Sequence, residues 1–187
     1  FEAIAGHGVQ ASVENKTLII GNAKLMQTHN IDISTLQSSA DKFAKLGQTP
    51  IFTAIDNKAA GVITIADPIK ESSQAAIKQL QQMGLRIIMM TGDNKQTAQV
   101  VANQLDIKDV FAEVLPKDKV QHVKDLQQKN QRVAMVGDGI NDAPSLTQAD
   151  VGFAISSGTD VAMQSADVTL MSNSVQGVAK AIQISKA

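Results

Sequence analysis

The chain has 187 residues, 43% of them hydrophobic, which is enough apolar material for one ordinary domain or for one domain and part of another. Its formal net charge is −1 and its 17 lysines and arginines are scattered, so no basic surface is offered to nucleic acid or to an anionic membrane. It has no cysteine, which excludes a disulfide framework and thiolate chemistry, and no apolar run approaches the roughly 20 residues that cross a bilayer. We therefore expect a soluble chain without a signal peptide and, since residue 1 is Phe rather than Met, a piece of a longer protein.

The first 66 residues predict an α+β piece with antiparallel strands. Its predicted elements are a strand over Thr17–Ile20, a helix over Leu36–Leu46 that ends at Gly47, and a hairpin over Ile51–Ile65 that turns at Asp56-Asn57. A domain boundary is predicted at Ala66-Asp67-Pro68, because proline restricts the residue before it and suits the first turn of a helix.

Residues 67–187 alternate strand and helix patterns, which predicts an α/β fold with a parallel sheet and flanking helices. The predicted strands are Leu85–Thr91, Arg132–Val136, Val151–Ile155 and Val168–Met171. The predicted helices run from about Pro68 to Gly84, from Asn94 or Lys95 to Leu105, from Lys117 to Lys129, and through Val175–Ile182 at the end of the chain.

The octet from Gly137 to Pro144 follows a predicted strand, at the edge where open α/β sheets bind ligands. Its two glycines allow a tight turn and a close backbone approach. Asp138 and Asp142 offer carboxylates to a small hard cation that keeps phosphate oxygens among its other ligands. The octet therefore indicates a Mg²⁺ and phosphate site, although an acidic turn that ends in proline would contain the same residue types.

Two further strand ends carry polar groups. Thr91-Gly92-Asp93 precedes a helix, so its hydroxyl and backbone N–H groups can face an anion, or Asp93-Asn94 can simply cap that helix. Lys117 follows Leu115-Pro116 at a helix start, where the helix dipole disfavours a cation unless an anion is bound nearby. The alternative is a solvated surface lysine such as Lys119 or Lys124.

These three motifs, in this order, resemble the cytoplasmic part of P-type ATPases, whose phosphorylation domain has a haloacid dehalogenase-like fold. The resemblance runs the length of the chain and assigns residues 1–66 to the C-terminal half of the nucleotide-binding domain and residues 67–187 to the phosphorylation domain. It implies that Asp138 binds Mg²⁺, with Asp142 in a supporting role, and that Asn141 contacts the phosphoryl group.

The same resemblance gives roles to the other two motifs. It implies that Lys117 contacts the phosphoryl group, that Thr91 and Gly92 donate hydrogen bonds to its oxygens, and that Asp93 shapes the cleft for nucleotide and phosphate. In the intact protein, an aspartate carboxylate would attack the γ-phosphate of Mg-ATP, and hydrolysis of the acyl phosphate would be coupled to ion export.

Glycine turns near the N-terminus extend the resemblance to the nucleotide site. Gly6-His7-Gly8-Val9 and Gly21-Asn22 match turns that lie against ATP in heavy-metal-transporting members, although isolated dipeptides of this kind are also ordinary turns. The runs Gly21–Met26 and Gly158–Ala162 are most similar to the copper- and silver-exporting branch.

The sequence also departs from the family pattern. It contains no Asp-Lys-Thr-Gly-Thr run, so the nucleophilic aspartate and its central strand are missing, and the histidine motif that grips adenine is missing too. The transported Cu⁺ or Ag⁺ would be bound elsewhere, so Met89, Met90 and the other methionines are expected in the core.

Three functions are therefore open. The first is the ATP-hydrolysing part of a metal exporter, whose partners are ATP and the membrane and actuator domains of its parent. The second is a binding or regulatory module that keeps a Mg²⁺ and phosphate site without turnover. The third is a small phosphatase, which would need its own nucleophile among Asp32, Asp41 and Asp56. An incomplete sheet would also leave backbone groups unpaired, which predicts self-association or local rearrangement.

Overall fold

In a computed structural model, the described residues are 1–66, 68–138, 140–155, 160–172 and 174–186. The chain forms two compact units, Phe1–Pro68 with Gly92–Val101, and Ile69–Thr91 with Ala102–Ala187. Asp67 of the predicted boundary, Gly139 of the octet, and Gly158 and Thr159 of the copper-branch run lie outside the described residues. The division at residues 66 and 67 stays a prediction.

The first unit is built on a five-stranded antiparallel sheet in the order β1-β2-β3-β4-β5. The strands are β1 Glu2–Ile4, β2 Gly8–Val13, β3 Lys16–Gly21, β4 Thr49–Ile55 and β5 Lys58–Ile65. Helices α1 (Ala23–Thr28) and α2 (Ser34–Ala44) follow β3. One cluster of buried side chains joins sheet and helices, and it contains Ile19, Leu25, Met26, Ile31, Ala40, Phe52 and Ala54.

The predicted hairpin is confirmed, and its turn shows why. Asp56 and Asn57 have φ of 47° and 61°, the left-handed values that a two-residue turn needs to match the twist of its strands. The Thr17 N–H donates to Oδ1 of Asp56 over 2.9 Å, which ties the turn to the end of β3. The sequence prediction missed β1, β2 and α1. Strand β2 has six residues, as β3 has, but its first residue, Gly8, was assigned to a glycine turn.

The second unit contains two parallel sheets, which confirms the predicted α/β class. One pairs β6 (Ile88–Met90) with β7 (Asp109–Phe111), and the other has the order β10-β9-β8. The strands of the latter are β8 Ala134–Gly137, β9 Val151–Ile155 and β10 Val168–Leu170. Its helices are α3 Glu71–Gln82, α5 Pro116–Gln127, α6 Ala143–Gln148, α7 Asp160–Gln164 and α8 Gln176–Ser185, and Ile140–Asp142 is a 3₁₀ turn. Helix α4, Lys95–Gln104, begins in the first unit and ends in the second.

Several predicted strands are longer than the observed ones. The prediction placed a strand over Leu85–Thr91, but the Leu85 N–H donates to the Leu80 carbonyl at the end of α3, so β6 begins only at Ile88. A strand was predicted from Arg132, but the Val133 N–H donates to Oδ2 of Asp150 over 2.8 Å, and β8 begins at Ala134. Hydrogen bonds from Val133 and Gln127 also hold the pKa of Asp150 below its ordinary value.

Helix ends follow the local sequence signals more closely. Gly84 has φ of 80° and ends α3, as predicted, but α3 begins at Glu71 rather than near Pro68. Met89 and Met90 are half-buried and pack against core clusters, as predicted, but Met171 is 90% exposed, so the expectation of a core position is wrong for that residue. Among the described residues, no helix has both the length and the apolar character needed to span a bilayer.

Candidate functional site

The octet begins where β8 ends, and Asp142 packs directly on the backbone of that strand end. A Cβ atom added at Gly137 would lie 2.6 Å from the Cβ of Asp142 and 3.0 Å from its Cγ, so only glycine leaves room for this approach. The 3₁₀ turn through Ile140–Asp142 then leads into α6, where Pro144 stands in the first turn. The local sequence therefore places the carboxylate of Asp142 against Gly137 at the end of β8.

Asp142 is buried and fully engaged by its own chain. Only 7% of the residue is exposed. Its Oδ1 accepts a hydrogen bond from the Nζ of Lys119 over 2.6 Å, and its Oδ2 lies 3.4 Å from the N–H of Asp138. This carboxylate therefore holds both the α5 lysine and the backbone of the preceding aspartate in place.

Sequence reasoning missed the contact that Lys119 makes with the octet, because this residue was grouped there with solvated surface lysines. Its side chain is 18% exposed and forms an ion pair with Asp142. Lys117 is exposed, and its side chain makes no ion pair or hydrogen bond within the described part of the chain. The structure brings Lys119, rather than Lys117, to the octet.

Asp138 and Asn141 present their side chains to solvent at the same strand end. Both residues are exposed, and the Asp138 carboxylate has no ion-pair partner among the described residues. The Asp142 carboxylate is buried and paired with Lys119, whereas the Asp138 carboxylate is exposed. The Asp138 carboxylate is therefore the one available to a cation.

Thr91 is held at the end of β6 by backbone bonds to the last residue of β7 and to the segment that follows it. Its N–H donates to the Phe111 carbonyl and its own carbonyl accepts from the Val114 N–H, each over 3.0 Å. Met90, the residue before it, packs in the cluster that contains Met135 of β8. The segments that precede Thr91 and Asp138 therefore pack on one cluster of the second unit.

Gly92 and Asp93 belong to the first unit rather than the second. Oδ1 of Asp93 accepts from the Thr49 hydroxyl over 2.7 Å. The side chain of Asn94 accepts from the Thr97 N–H over 3.0 Å, so the capping role that was open for this pair falls to Asn94. The structure gives Asp93 an anchoring contact within its own unit, and its predicted role in the cleft stays a prediction.

The glycines of the N-terminal turns have a packing function. Gly8 and Gly21 face each other across β2 and β3, and a Cβ on Gly21 would lie 2.3 Å from the His7 carbonyl oxygen. Asn22 joins the turns, because its Nδ2 donates to the Gly6 carbonyl over 3.1 Å and its Oδ1 accepts from the Leu25 N–H over 2.9 Å. Gly6 remains exposed at the surface.

Replacing Asn22 by Ala is expected to lower the free energy of unfolding by about 1 to 2 kcal/mol, since both the cap of α1 and the link to Gly6 are lost. Asn22→Asp keeps the capping oxygen and removes only the amide donor, so it should lose less. Urea unfolding of the three proteins measures this. An equal loss in both variants would contradict a capping contribution.

Comparison with known proteins identifies the family and the fold. The family profile of haloacid dehalogenase-like hydrolases matches residues 2–150. Copper-transporting ATPase 2 of Rhizobium meliloti (strain 1021) is 45% identical over 187 residues, which are 100% of this chain and 23% of that protein. A zinc-transporting PIB-type ATPase in its E2.Pi state is 32% identical with a TM-score of 0.67, over 99% of this chain and 30% of that one.

The catalytic domain of the CPx-ATPase CopB-B has the same fold, with a TM-score of 0.72 at 24% identity, over 97% of this chain and 64% of that domain. The chain spans only 23% of the length of the Rhizobium relative. Since the family profile covers most of its residues and the relatives match it from end to end, the chain belongs to the haloacid dehalogenase-like hydrolases and is homologous throughout to copper-exporting P-type ATPases.

Proposed function

We propose that this chain is the ATP-hydrolysing part, on the cytoplasmic side, of a copper- or silver-exporting P-type ATPase. In this proposal the γ-phosphoryl group of Mg-ATP passes to an aspartate that lies outside this sequence. The observation that carries the proposal is the Lys119–Asp142 pair directly behind the exposed Asp138, at the carboxyl end of β8. Whole-chain identity of 45% to a copper-transporting ATPase supports the choice of cargo.

The donor set fits Mg²⁺. Asp138 offers an exposed carboxylate, and hard oxygen ligands of this kind suit an ion that keeps water and phosphate oxygens as its remaining ligands. Asp142 is committed to Lys119 and to the Asp138 N–H, so we assign it a supporting role that fixes the loop. When bound, Mg²⁺ would neutralise charge on the phosphate oxygens.

The protein's own groups supply the rest of the charge stabilisation. We assign the Lys119 ammonium to an oxygen of the phosphoryl group, since it stands at the octet and already has a carboxylate that orients it. Thr91, fixed at both of its backbone groups, would present its hydroxyl from the neighbouring strand end. Asn141, exposed beside Asp138, remains a candidate for the same oxygens.

The edges of β6 and β8 support the placement of the acceptor aspartate. Ile87 and Met90 of the β6 segment share side-chain clusters with Val136 and Met135 of β8. Yet β6 pairs only with β7 and β8 only with β9 among the described strands. Both strands therefore have a backbone edge available, and we infer that a strand of the parent protein that carries the aspartate pairs there.

For ATP, we assign the base or ribose to the surface turn at Gly6 and Asn22, where the backbone is exposed and held by the Asn22 amide. Without an Asp-Lys-Thr-Gly-Thr run, the 187-residue chain alone should bind Mg²⁺ and phosphate without turnover. Its working partners are then the membrane and actuator domains of the parent.

Asp138→Asn in the full-length ATPase tests the proposal. Phosphoenzyme formation from Mg-ATP should fall by about a hundredfold, because one charge that stabilises the transition state is removed, while nucleotide binding is kept. The control is Asp125→Asn, a carboxylate on α5 whose hydrogen bond is to Gln121 in the same helix. Normal phosphoenzyme in Asp138→Asn would overturn the assignment of this residue.

A further inference from the structure

Two flat rings are stacked between β7 and α5. The ring of Phe111, the last residue of β7, lies on the imidazole of His122, with centroids 4.3 Å apart and planes inclined by 22°. Both residues are half-buried. Such stacks are directional, because ring planes and offsets matter as well as buried area.

Each ring adjoins a group of the proposed phosphate site. The Phe111 carbonyl accepts the Thr91 N–H over 3.0 Å, so the same residue supplies one ring of the stack and one of the bonds that fix Thr91. His122 lies three residues after Lys119, hence on the same face of α5, one turn further along. On that face, the Nζ of Lys119 donates to Oδ1 of Asp142 over 2.6 Å.

We propose that the Phe111–His122 stack is a positioning pair that sets the rotation of α5 about its axis and so directs Lys119 at the phosphoryl group. This inference rests on the function proposed above, and it concerns residues that touch neither substrate nor metal. The stack joins the β7 strand end that fixes Thr91 to the helix that carries Lys119, so the two groups share one rigid connection.

The other contacts of α5 act at different points from the stack, and the Asp142 carboxylate holds only the end of the Lys119 side chain. At the far end of the helix, Gln127 and Gln148 exchange hydrogen bonds, the Gln127 amide donating to the Gln148 backbone carbonyl over 3.0 Å and the Gln148 amide to Oε1 of Gln127 over 2.9 Å. Val123 is buried, and its apolar packing has no preferred plane. The stack is the directional contact of the helix itself that lies one turn from Lys119, whereas the Gln127 hydrogen bonds lie at the far end.

The test uses the full-length ATPase with His122→Ala, His122→Phe and the control Lys124→Ala, an exposed residue of the same helix. For His122→Ala we expect the rate of phosphoenzyme formation to fall about three- to tenfold, while the Mg-ATP concentration at half-maximal rate stays unchanged. His122→Phe keeps a flat ring on Phe111 and should restore the rate. Phe111→Leu should match His122→Ala, and combining the two should add no further loss.

The outcomes separate this inference from the proposed function. If the unmodified protein forms no phosphoenzyme from Mg-ATP, the proposed function is wrong and the inference is overturned with it. If it does, an unchanged rate in His122→Ala overturns the inference alone, and so does a His122→Phe variant as slow as His122→Ala. Thermal unfolding of each variant identifies a loss of rate that comes from misfolding. In that case the double variant decides. A double variant no slower than either single variant supports the inference, and one in which the two losses multiply overturns it.

Discussion

Replacing Lys119 by Met is expected to lower the free energy of unfolding of this chain by about 3 kcal/mol. Methionine keeps the apolar stem of the side chain but leaves the Asp142 carboxylate without its cation. The two side chains are only 18% and 10% exposed, so solvent compensates poorly for the lost partner. Urea unfolding, followed by circular dichroism, measures the change.

Two companion variants make this prediction specific. Lys117→Met should change stability by less than about 0.5 kcal/mol, because Lys117 is exposed and has no ion pair within the described residues. Adding Asp142→Asn to Lys119→Met should recover much of the loss, since the amide oxygen can still accept the Asp138 N–H without a buried charge. Equal losses at positions 117 and 119 would contradict the observed pairing.

Phosphoenzyme formation in variants of the same two lysines tests which of them contacts the phosphoryl group. In the full-length ATPase, Lys119→Met should suppress phosphoenzyme formation while Lys117→Met leaves it largely intact. The double variant with Asp142→Asn should stay inactive although its stability returns, because catalysis needs the cation itself. The reverse result, with position 117 essential, would restore the role that the resemblance implied.

The choice between these lysines shows where sequence reasoning ends. The helix start at Leu115-Pro116 is a local signal, and α5 does begin at Pro116. Lys117 and Lys119 then lie about 200° apart around the helix axis, so only one of them can face the octet. Which one does so depends on how α5 packs against its neighbours, and the local signals at the helix start do not show that packing.

Other features show the same difference between local signals, which could be read from the sequence, and tertiary contacts, which could not. The hairpin turn at Asp56-Asn57 could be predicted because it depends on the two turn residues themselves. The position of Asp138 directly after a strand could be predicted because open α/β sheets bind ligands at the carboxyl ends of their strands. The grouping of Gly92–Val101 with the first unit could not, because it depends on tertiary bonds such as that from the Thr97 hydroxyl to the Gln48 carbonyl, 2.9 Å.

Gly8→Ala should destabilise the first unit by about 4 kcal/mol or more, the largest effect we expect from one methyl group in this chain. The added Cβ would lie 2.1 Å from the Ile20 carbonyl oxygen and 2.6 Å from the Cα of Gly21, both of them backbone atoms. A φ of 146° adds strain for any residue with a side chain. Because β2 and β3 are paired at this point, relief requires the two strands to separate.

Gly61→Ala is the matched control, since it places the same methyl group in the same sheet. Its Cβ would meet only the Thr53 hydroxyl at 3.6 Å, an ordinary contact, so stability should stay the same or rise by up to about 1 kcal/mol as the unfolded chain loses freedom. Calorimetry of both variants distinguishes the two effects. A Gly8→Ala protein that melts like the Gly61→Ala protein would mean that β2 and β3 do not approach this closely, and the glycines would then need an explanation from nucleotide binding alone.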